Sequence, residues 1–168
     1  RYALRVPGAH NQANAHLAVQ LTTALGIPES TARAALAEFT GLPHRLEFVA
    51  THNQVSYYND SKSTAPAAVR TALAAFGGPI IALCGGKDIG GELDHIVDAP
   101  WDGVRAAICF GDAGPRLAAL LRTVETRGSA PAIHLAREVP QAVAFAQDLA
   151  RAGDVVVFTP GCPSYDAF

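Results

Sequence analysis

Four short polar runs carry the side chains that could do chemistry in this sequence of 168 residues. The densest is NDSKST at 59–64, where a carboxylate, an ammonium group and several hydroxyls stand together. The others are GGKDIGG at 85–91, GDAG at 111–114 and TPGCPS at 159–164. Glycines allow the main chain to approach a ligand closely, and helix starts favour anionic groups. These runs therefore predict a site for a ligand that carries negative charge.

The two strongest runs also have purely structural alternatives. Ser63 or Thr64 could serve only to cap the helix that follows. Asp60 and Lys62 could form a solvated ion pair at the end of a strand. GGKDIGG lacks the GxxxxGK[ST] spacing of a phosphate-binding loop, so it could be a plain turn. From the residues alone, both the binding interpretation and the structural one remain open.

The elements that must position these runs are typical of an α/β domain. PIIALC (79–84), VRAAICF (104–110) and DVVVFTP (154–160) are apolar throughout, and helical patterns lie between them at about 113–122 and 139–150. Strands that are apolar on both faces and alternate with helices indicate a mainly parallel sheet covered on both sides. In such a sheet the loops after the strands share one edge, where ligands bind. We therefore expect the loops near 62, 86 and 164 to form one cleft.

The first 40 residues have a different character. A helix is predicted from residue 11 to Gly26, with Ala15, Val19, Leu21 and Leu25 as its apolar face. A second helix is predicted at about 30–39, with Ser30 or Thr31 as a cap.

GLPHR at 41–45 is a break in composition suited to a linker between two domains. A hairpin that turns near 52–54 and a helix at 66–76 are predicted to follow it. The run 93–101 is too irregular to assign.

Composition excludes several classes of function. A net charge of −2 provides no basic field for nucleic acid, and no apolar run approaches the roughly 18–20 residues that a membrane helix needs. Three cysteines, each in or beside an apolar run, are typical of reduced core thiols in a cytosolic protein. The histidines and cysteines lack zinc-site spacing. We expect a cytoplasmic protein that binds neither nucleic acid nor membrane and holds no metal on these residues.

Five runs, in order, resemble those of the Mur ligases. GAHNQAN at 8–14 resembles the GxHNxxN segment of their central domain, and GLPHR resembles the entry to their C-terminal domain. Three more runs resemble NDSKAT, GGKDKG and SPACASxDxF of the member that adds glutamate to UDP-N-acetylmuramoyl-L-alanine; here they are NDSKST, GGKD and TPGCPSYDAF. Because the resemblance covers nearly the whole chain, the sequence is identified as a member of this family.

The resemblance implies a Rossmann-like C-terminal ligase domain at 41–168, truncated at its end. The helical end of the central ATP-binding domain would precede it at 1–40. The family's phosphate loop, magnesium ligands and UDP-binding domain are not found in the sequence. The chain also lacks methionine, starts at Arg1 and stops at Phe168 directly after a polar loop. We therefore expect a piece of a longer parent chain that holds the missing domains.

The implied activity is ATP-dependent amide formation in peptidoglycan precursor synthesis. In the family, ATP phosphorylates the carboxylate of UDP-N-acetylmuramoyl-L-alanine, and the glutamate amine then attacks the acyl phosphate. ATP and Mg²⁺ are the implied cofactors, with the magnesium ligands in the missing part of the parent. The 168-residue chain is therefore expected to be inactive by itself.

The resemblance assigns four residues to the nucleotide. Asn11 and Asn14 match a pair that meets the adenine, and two amides three apart on a helix share one face. Arg45 matches an arginine that reaches the nucleotide, where its fork-shaped cation suits phosphate or ribose oxygens. Asp60 matches the acid that accepts hydrogen bonds from the ribose hydroxyls.

Other matches fall at the reaction centre and the incoming amino acid. Lys62 matches a catalytic lysine near the reacting carboxyl and phosphoryl groups. Thr64 matches a threonine at the α-carboxylate of the amino acid, and Ser164 matches a serine at its side-chain carboxylate. Ile89 stands where the family has a second, carboxylate-binding lysine. Either Lys87 takes over this role, or the acceptor pocket differs.

The change at Ile89 leaves the acceptor open between D-glutamate, L-glutamate and another acidic amino acid. It also motivates an alternative function from another class. On that alternative, the chain is a non-catalytic module that binds a nucleotide or an amino acid on the same scaffold.

Overall fold

The computed structural model describes residues 1–124 and 130–164. Two helices, α1 (Ala9–Ala24) and α2 (Glu29–Glu38), come first. A sheet with helices on both faces follows. Its elements, in chain order, are β1 (Glu47–His52), β2 (Val55–Asn59), α3 (Pro66–Leu73), β3 (Ile80–Gly85), β4 (Val104–Phe110), α4 (Gly114–Leu121), β5 (Ala132–Ala136), α5 (Val139–Leu149) and β6 (Val155–Gly161).

The strands of the described residues form one sheet in the order β1-β2-β6-β3-β4-β5. β1 and β2 are an antiparallel hairpin, and every other neighbouring pair is parallel. The predicted α/β fold with a mainly parallel sheet is therefore confirmed. Because β2, β6, β3 and β4 all run in one direction, the loops that follow them leave the sheet at the same edge.

Alternate residues of the central strands enter two separate cores. Ile80 and Ala82 pack with α3 and α4 on one face, whereas Ile81 and Leu83 pack with α5 on the other. Successive side chains of a strand point to opposite faces, so a strand covered on both sides must be apolar throughout. This burial explains the continuous apolar runs of β3, β4 and β6.

The hairpin turns at Asn53 and Gln54, which have φ values of 50° and 62°, as predicted. α3 ends at Leu73, so the prediction of a helix to residue 76 was too long. No helix within 1–124 or 130–164 is long and apolar enough to cross a membrane.

The predicted apolar face of α1 is wrong in part. Ala15 and Val19 are buried, but Leu21 is 66% and Leu25 81% exposed. Val19 and Leu21 are two residues apart, which places them on nearly opposite sides of a helix with 3.6 residues per turn. Leu21 therefore cannot share the buried stripe, and Leu25 is the C-cap residue, beyond the end of α1.

The predicted cap of α2 is also wrong. Pro28 occupies the N-cap position, no side chain caps the helix, and Ser30 and Thr31 already lie inside it. The fixed φ of proline suits a position at the start of a helix. Pro28 therefore marks this helix start, and neither hydroxyl is needed to cap it.

Three elements were not predicted from the sequence. β5 is a short edge strand with partly exposed residues, so it has no continuous apolar run. The unassigned stretch forms two 3₁₀ turns, Gly90–Asp98 and Trp101–Gly103. These turns bury Trp101, whose indole N–H donates to the carbonyl oxygen of Ile96 at 2.9 Å. The turns therefore complete the core beside α3 and α4.

Candidate functional site

A cleft of about 440 Å³ lies between the start of α1, the linker at 41–46 and the run after β2. Its lining includes five of the predicted site residues: Asn11, Asn14, Arg45, Asp60 and Lys62. The structure thus brings together side chains from three separate segments of the chain. We call this cavity the nucleotide cleft, after the role that the resemblance implies for four of the five.

Asp60 is a buried carboxylate at the base of the nucleotide cleft, with 7% of the residue exposed. Its backbone N–H donates to the carbonyl oxygen of Phe158 at 2.8 Å, which ties it to β6. Oδ1 accepts a hydrogen bond from the backbone N–H of Leu46 at 3.0 Å, and Oδ2 accepts one from the Ser63 hydroxyl. These contacts exclude a solvated surface ion pair with Lys62 as the role of Asp60.

The charge of Asp60 is under opposing influences. Burial raises the pKa of the Asp60 carboxyl above its ordinary value. The hydrogen bonds from Ser63 and Leu46 and the nearby charges of Arg45 and His10 lower this pKa, but they do not cancel the effect of burial. A further donor at this carboxylate, such as a ligand hydroxyl, would stabilise its charged form.

Helix α3 does not use the predicted caps. Its N-cap position is Ala65, with no hydrogen bond from a side chain. Ser63 is instead committed to Asp60, and Thr64 is exposed. The capping alternative is therefore wrong for both hydroxyls.

The remaining polar groups of the nucleotide cleft are accessible. Asn14, Arg45 and Lys62 are exposed. The side-chain amide of Asn11 donates to the carbonyl oxygen of Pro7 at 2.7 Å, which fixes its orientation and leaves its own oxygen as an acceptor. Amides of this kind can pair with a purine edge, and the two cations can approach phosphate oxygens.

A second, smaller cavity of about 110 Å³ lies at the edge of the sheet. It adjoins the nucleotide cleft, because residues of the run 60–64 line both cavities. The loops after β2, β3 and β6 meet here, so its lining includes Ser61, Thr64, Gly86 and Ser164. We call it the acceptor cavity, after the role that the resemblance implies for Thr64 and Ser164. The structure therefore places Thr64 and Ser164 in one cavity although they are 100 positions apart in the sequence.

Main-chain hydrogen bonds hold the loops of the acceptor cavity together. Gly86 N–H donates to Phe110 O at 3.2 Å, and Gly86 O accepts from Ala113 N–H at 3.0 Å. Lys87 N–H donates to Pro163 O at 3.0 Å. Gly86 has a φ of +133°, and a Cβ there would lie 2.7 Å from the carbonyl oxygen of Pro163. Only glycine fits this crossing without displacing the chain.

The structure does not bring Lys87 into the acceptor cavity with Thr64 and Ser164. Lys87 is exposed, and the lining of that cavity does not include it. Ile89 is half-buried and packs against the core beside α3 and α4. Ile89 thus anchors its loop and leaves the acceptor cavity free.

Sequence reasoning missed Arg116, which holds the loop after β3 from the side of α4. Its guanidinium contacts Asp88 at 2.9 Å and Asp94 at 2.7 Å. Asp88 also accepts a hydrogen bond from the Gly90 N–H at 2.8 Å. No local pattern distinguishes Arg116 from other surface arginines, since its partners lie more than 20 positions away.

The acceptor cavity also contains apolar groups that were not predicted as site residues. The rings of Phe110 and Phe158 line it and stack with centroids 5.6 Å apart. Cys162 lines it as well, and burial raises the pKa of its thiol to about 11. Cys84 and Cys109 are buried too, with the pKa of Cys109 raised to about 12. All three cysteines are free and buried, which confirms the prediction that they are core residues.

Within 1–124 and 130–164, no three or more metal-ligating side chains gather at one point. The run YDAF at 165–168 lies outside the described residues.

Solved enzymes share this arrangement of helices and sheet. UDP-N-acetylmuramate–alanine ligase from Thermotoga maritima superposes with a TM-score of 0.71 over 94% of this chain and 36% of its own, at 17% identity. Mycobacterium tuberculosis folylpolyglutamate synthase complexed with ADP gives 0.67 over 95% of this chain and 39% of its own, at 19% identity. The chain therefore has the same fold as the matching part of these two enzymes.

The chain belongs to the Mur ligase family, since residues 44–162 match the family described as Mur ligase, glutamate ligase domain. It is 37% identical over 165 residues to the UDP-N-acetylmuramoylalanine–D-glutamate ligase of Symbiobacterium thermophilum, covering 98% of this chain and 36% of that protein. The same enzyme from Bacillus cytotoxicus is 37% identical over 166 residues, covering 97% and 35%. The chain thus spans about a third of the length of these curated relatives.

Proposed function

We propose that this chain is the C-terminal part of a ligase that joins glutamate to UDP-N-acetylmuramoyl-L-alanine at the expense of ATP. The observation that carries this proposal is the nucleotide cleft beside the acceptor cavity, with the run 60–64 shared between them. Relatives named for this activity match 97–98% of the chain at 34–37% identity. The boundary between the central domain and the glutamate-binding domain is proposed at residues 40 and 41.

The nucleotide cleft suits ATP in size and in chemistry. A volume of about 440 Å³ is within the usual range for a site that holds a small ligand. Asn11 and Asn14 would meet the adenine edge, and the Asp60 carboxylate would accept from the ribose hydroxyls. Arg45 would reach phosphate or ribose oxygens. As the resemblance implies, the Mg²⁺ that accompanies ATP would be held by the rest of the parent chain.

Lys62 is proposed to act at the reacting groups. The γ-phosphoryl group of ATP passes to the carboxylate of UDP-N-acetylmuramoyl-L-alanine, and ADP leaves. The glutamate amine then attacks the acyl carbon, phosphate leaves, and the amine loses its proton as the amide forms. An ammonium group in the nucleotide cleft would lower the repulsion between the anionic reactants in both steps.

The acceptor cavity would hold the carboxylates of the incoming glutamate. Thr64 and Ser164 provide hydroxyl donors on opposite loops, and the stacked Phe110 and Phe158 provide an apolar wall for the methylene groups. Lys87, on the exposed part of the loop after β3, would reach a carboxylate only if its side chain folds inward. The named activity of the relatives favours D-glutamate as the acceptor.

The experiment that tests the proposal uses the full-length protein that contains this chain. Lys62→Ala should lower kcat for ligation by about 10²–10³-fold, the usual loss for one electrostatic group at a reaction centre. Asp60→Ala should raise KM for ATP by about tenfold or more, as expected for a lost hydrogen bond to a charged group. Arg70→Ala removes an exposed cation of α3 that lines neither cavity, and it is the matched control. Unchanged turnover in both site variants would favour the non-catalytic binding module instead.

A comparison of D- and L-glutamate as acceptors in the same protein tests the proposed handedness. Sole use of D-glutamate at ordinary affinity would show that Ile89 has no effect on recognition, as its packing into the core suggests. We also propose a cytoplasmic location, because the proposed reaction consumes ATP and a UDP-linked substrate.

A further inference from the structure

Ser63 is a buried hydroxyl that none of the roles above requires, with 4% of the residue exposed. Its backbone N–H donates to Asp60 O at 2.8 Å, and its carbonyl oxygen accepts from the Gly161 N–H at 2.7 Å. Its side-chain hydroxyl donates to Oδ2 of Asp60. The main chain of Ser63 is therefore fixed between the run after β2 and the end of β6, and its side chain is directed at one carboxylate.

We infer that Ser63 is a positioning residue that orients the Asp60 carboxylate for the nucleotide. The inference rests on the proposed function of the nucleotide cleft. Oδ1 of Asp60 is held by the Leu46 N–H at 3.0 Å, and Oδ2 is held by Ser63. The two anchors come from different segments, so together they fix the rotation of the carboxylate about its Cβ–Cγ bond.

This arrangement leaves Asp60 able to bind a ligand. Each carboxylate oxygen can accept about two hydrogen bonds, and one protein donor is placed on each. The second acceptor site of each oxygen remains for ribose hydroxyls at the cleft wall. Without the Ser63 hydroxyl, Oδ2 loses its protein donor. The hydrogen bond from Leu46 to Oδ1 alone then restrains rotation of the carboxylate about the Cβ–Cγ bond.

The Ser63 hydroxyl also favours the charged form of Asp60. The groups that face this carboxylate are His10 from α1 and Arg45 and the Leu46 N–H from the linker; Lys62 lines the same cleft. The residues of α3 that line the cleft are uncharged. Loss of the Ser63 donor should therefore raise the pKa of Asp60, and nucleotide affinity should begin to fall at a higher pH on acidification.

The test compares Ser63→Ala with the native residue in the full-length ligase. We expect KM for ATP to rise about three- to tenfold, the value of one ordinary hydrogen bond, with kcat and KM for glutamate within about twofold of the native values. The acid limb of the pH dependence of kcat/KM for ATP should move to higher pH. Ser63→Thr, which keeps a hydroxyl, should restore KM and the pH profile. Ser56→Ala, on β2 and outside both cavities, is the control for loss of a serine hydroxyl.

Folding of the variant is checked by its melting temperature. An unchanged KM for ATP with an unchanged pH profile would overturn the inference. A lower kcat, higher KM values for both ATP and glutamate, and a lower melting temperature, all in the same variant, would also overturn it, because a purely structural role predicts that combination. If the native protein binds ATP in a calorimeter but does not ligate, the proposed function fails, and the Kd of Ser63→Ala for ATP still decides the role of Ser63.

Discussion

Gly86→Ala is the substitution that most directly tests how the loops of the acceptor cavity are held together. The added Cβ would lie 2.7 Å from the carbonyl oxygen of Pro163 and 3.2 Å from Cβ of Cys162. The first of these atoms belongs to the main chain and cannot rotate away. The φ of +133° at this position is also one that residues other than glycine rarely adopt.

The cost can be estimated from these two effects. A strained backbone conformation costs about 1–3 kcal/mol, and overpacking against a fixed neighbour costs about 1–3 kcal/mol more. The free energy of unfolding should therefore fall by about 2–6 kcal/mol, a large part of the roughly 5–15 kcal/mol typical of a domain. For a chain of this size, the melting temperature should fall by about 5–20 °C.

Urea unfolding followed by circular dichroism measures this change on the 168-residue chain. Gly91→Ala is the matched control, because a Cβ there meets nothing within 4 Å. It should change the unfolding free energy by less than about 0.5 kcal/mol. Equal urea midpoints for the two variants would refute the conclusion that the loops after β3 and β6 are fixed against each other.

Two further predictions concern buried polar groups. Thr159→Val should raise the free energy of unfolding by about 1 kcal/mol, because the Thr159 hydroxyl is buried without a partner among the described residues. Urea unfolding measures the change. A decrease in the free energy of unfolding would contradict this prediction, because it would mean that the hydroxyl has a partner. Asp60→Asn should match the native stability near pH 3 and exceed it near pH 7. Burial raises the pKa of Asp60, so stability that is present while the carboxyl is protonated is lost as pH rises through that pKa. Urea midpoints at the two pH values measure the difference, and a constant difference would contradict the reasoning.

The central sheet could be predicted from the sequence, because burial on both faces requires a continuous apolar run in each central strand. β3, β4 and β6 must be apolar at every position, and that pattern is visible without a structure. β5 was missed because an edge strand with partly exposed residues has no such requirement. The face of α1 was assigned wrongly because Leu21 and Leu25 are apolar yet exposed, so apolar residues here do not mark one buried side.

For the candidate site, the sequence predicted which loops meet but not the contacts that their side chains make. Parallel strands bring the loops after β2, β3 and β6 to one edge, so Thr64 and Ser164 could be grouped in advance. The burial of Asp60 and its bond to Leu46 could not, because they depend on how the linker folds back over β2. Likewise, no spacing rule could indicate that Ser63 is bonded to a carboxylate or that Ile89 packs into the core.

The bonds between the linker and the run after β2 have a practical consequence for building hybrid enzymes. Lys62 N–H donates to His44 O at 3.1 Å, and Asp60 holds the Leu46 N–H, so the two segments behave as one structural unit. Any exchange of domains with a related ligase should therefore place its crossover before residue 41. A junction between 46 and 60 would combine a linker from one parent with a carboxylate from the other, and it would break the contacts that shape the nucleotide cleft.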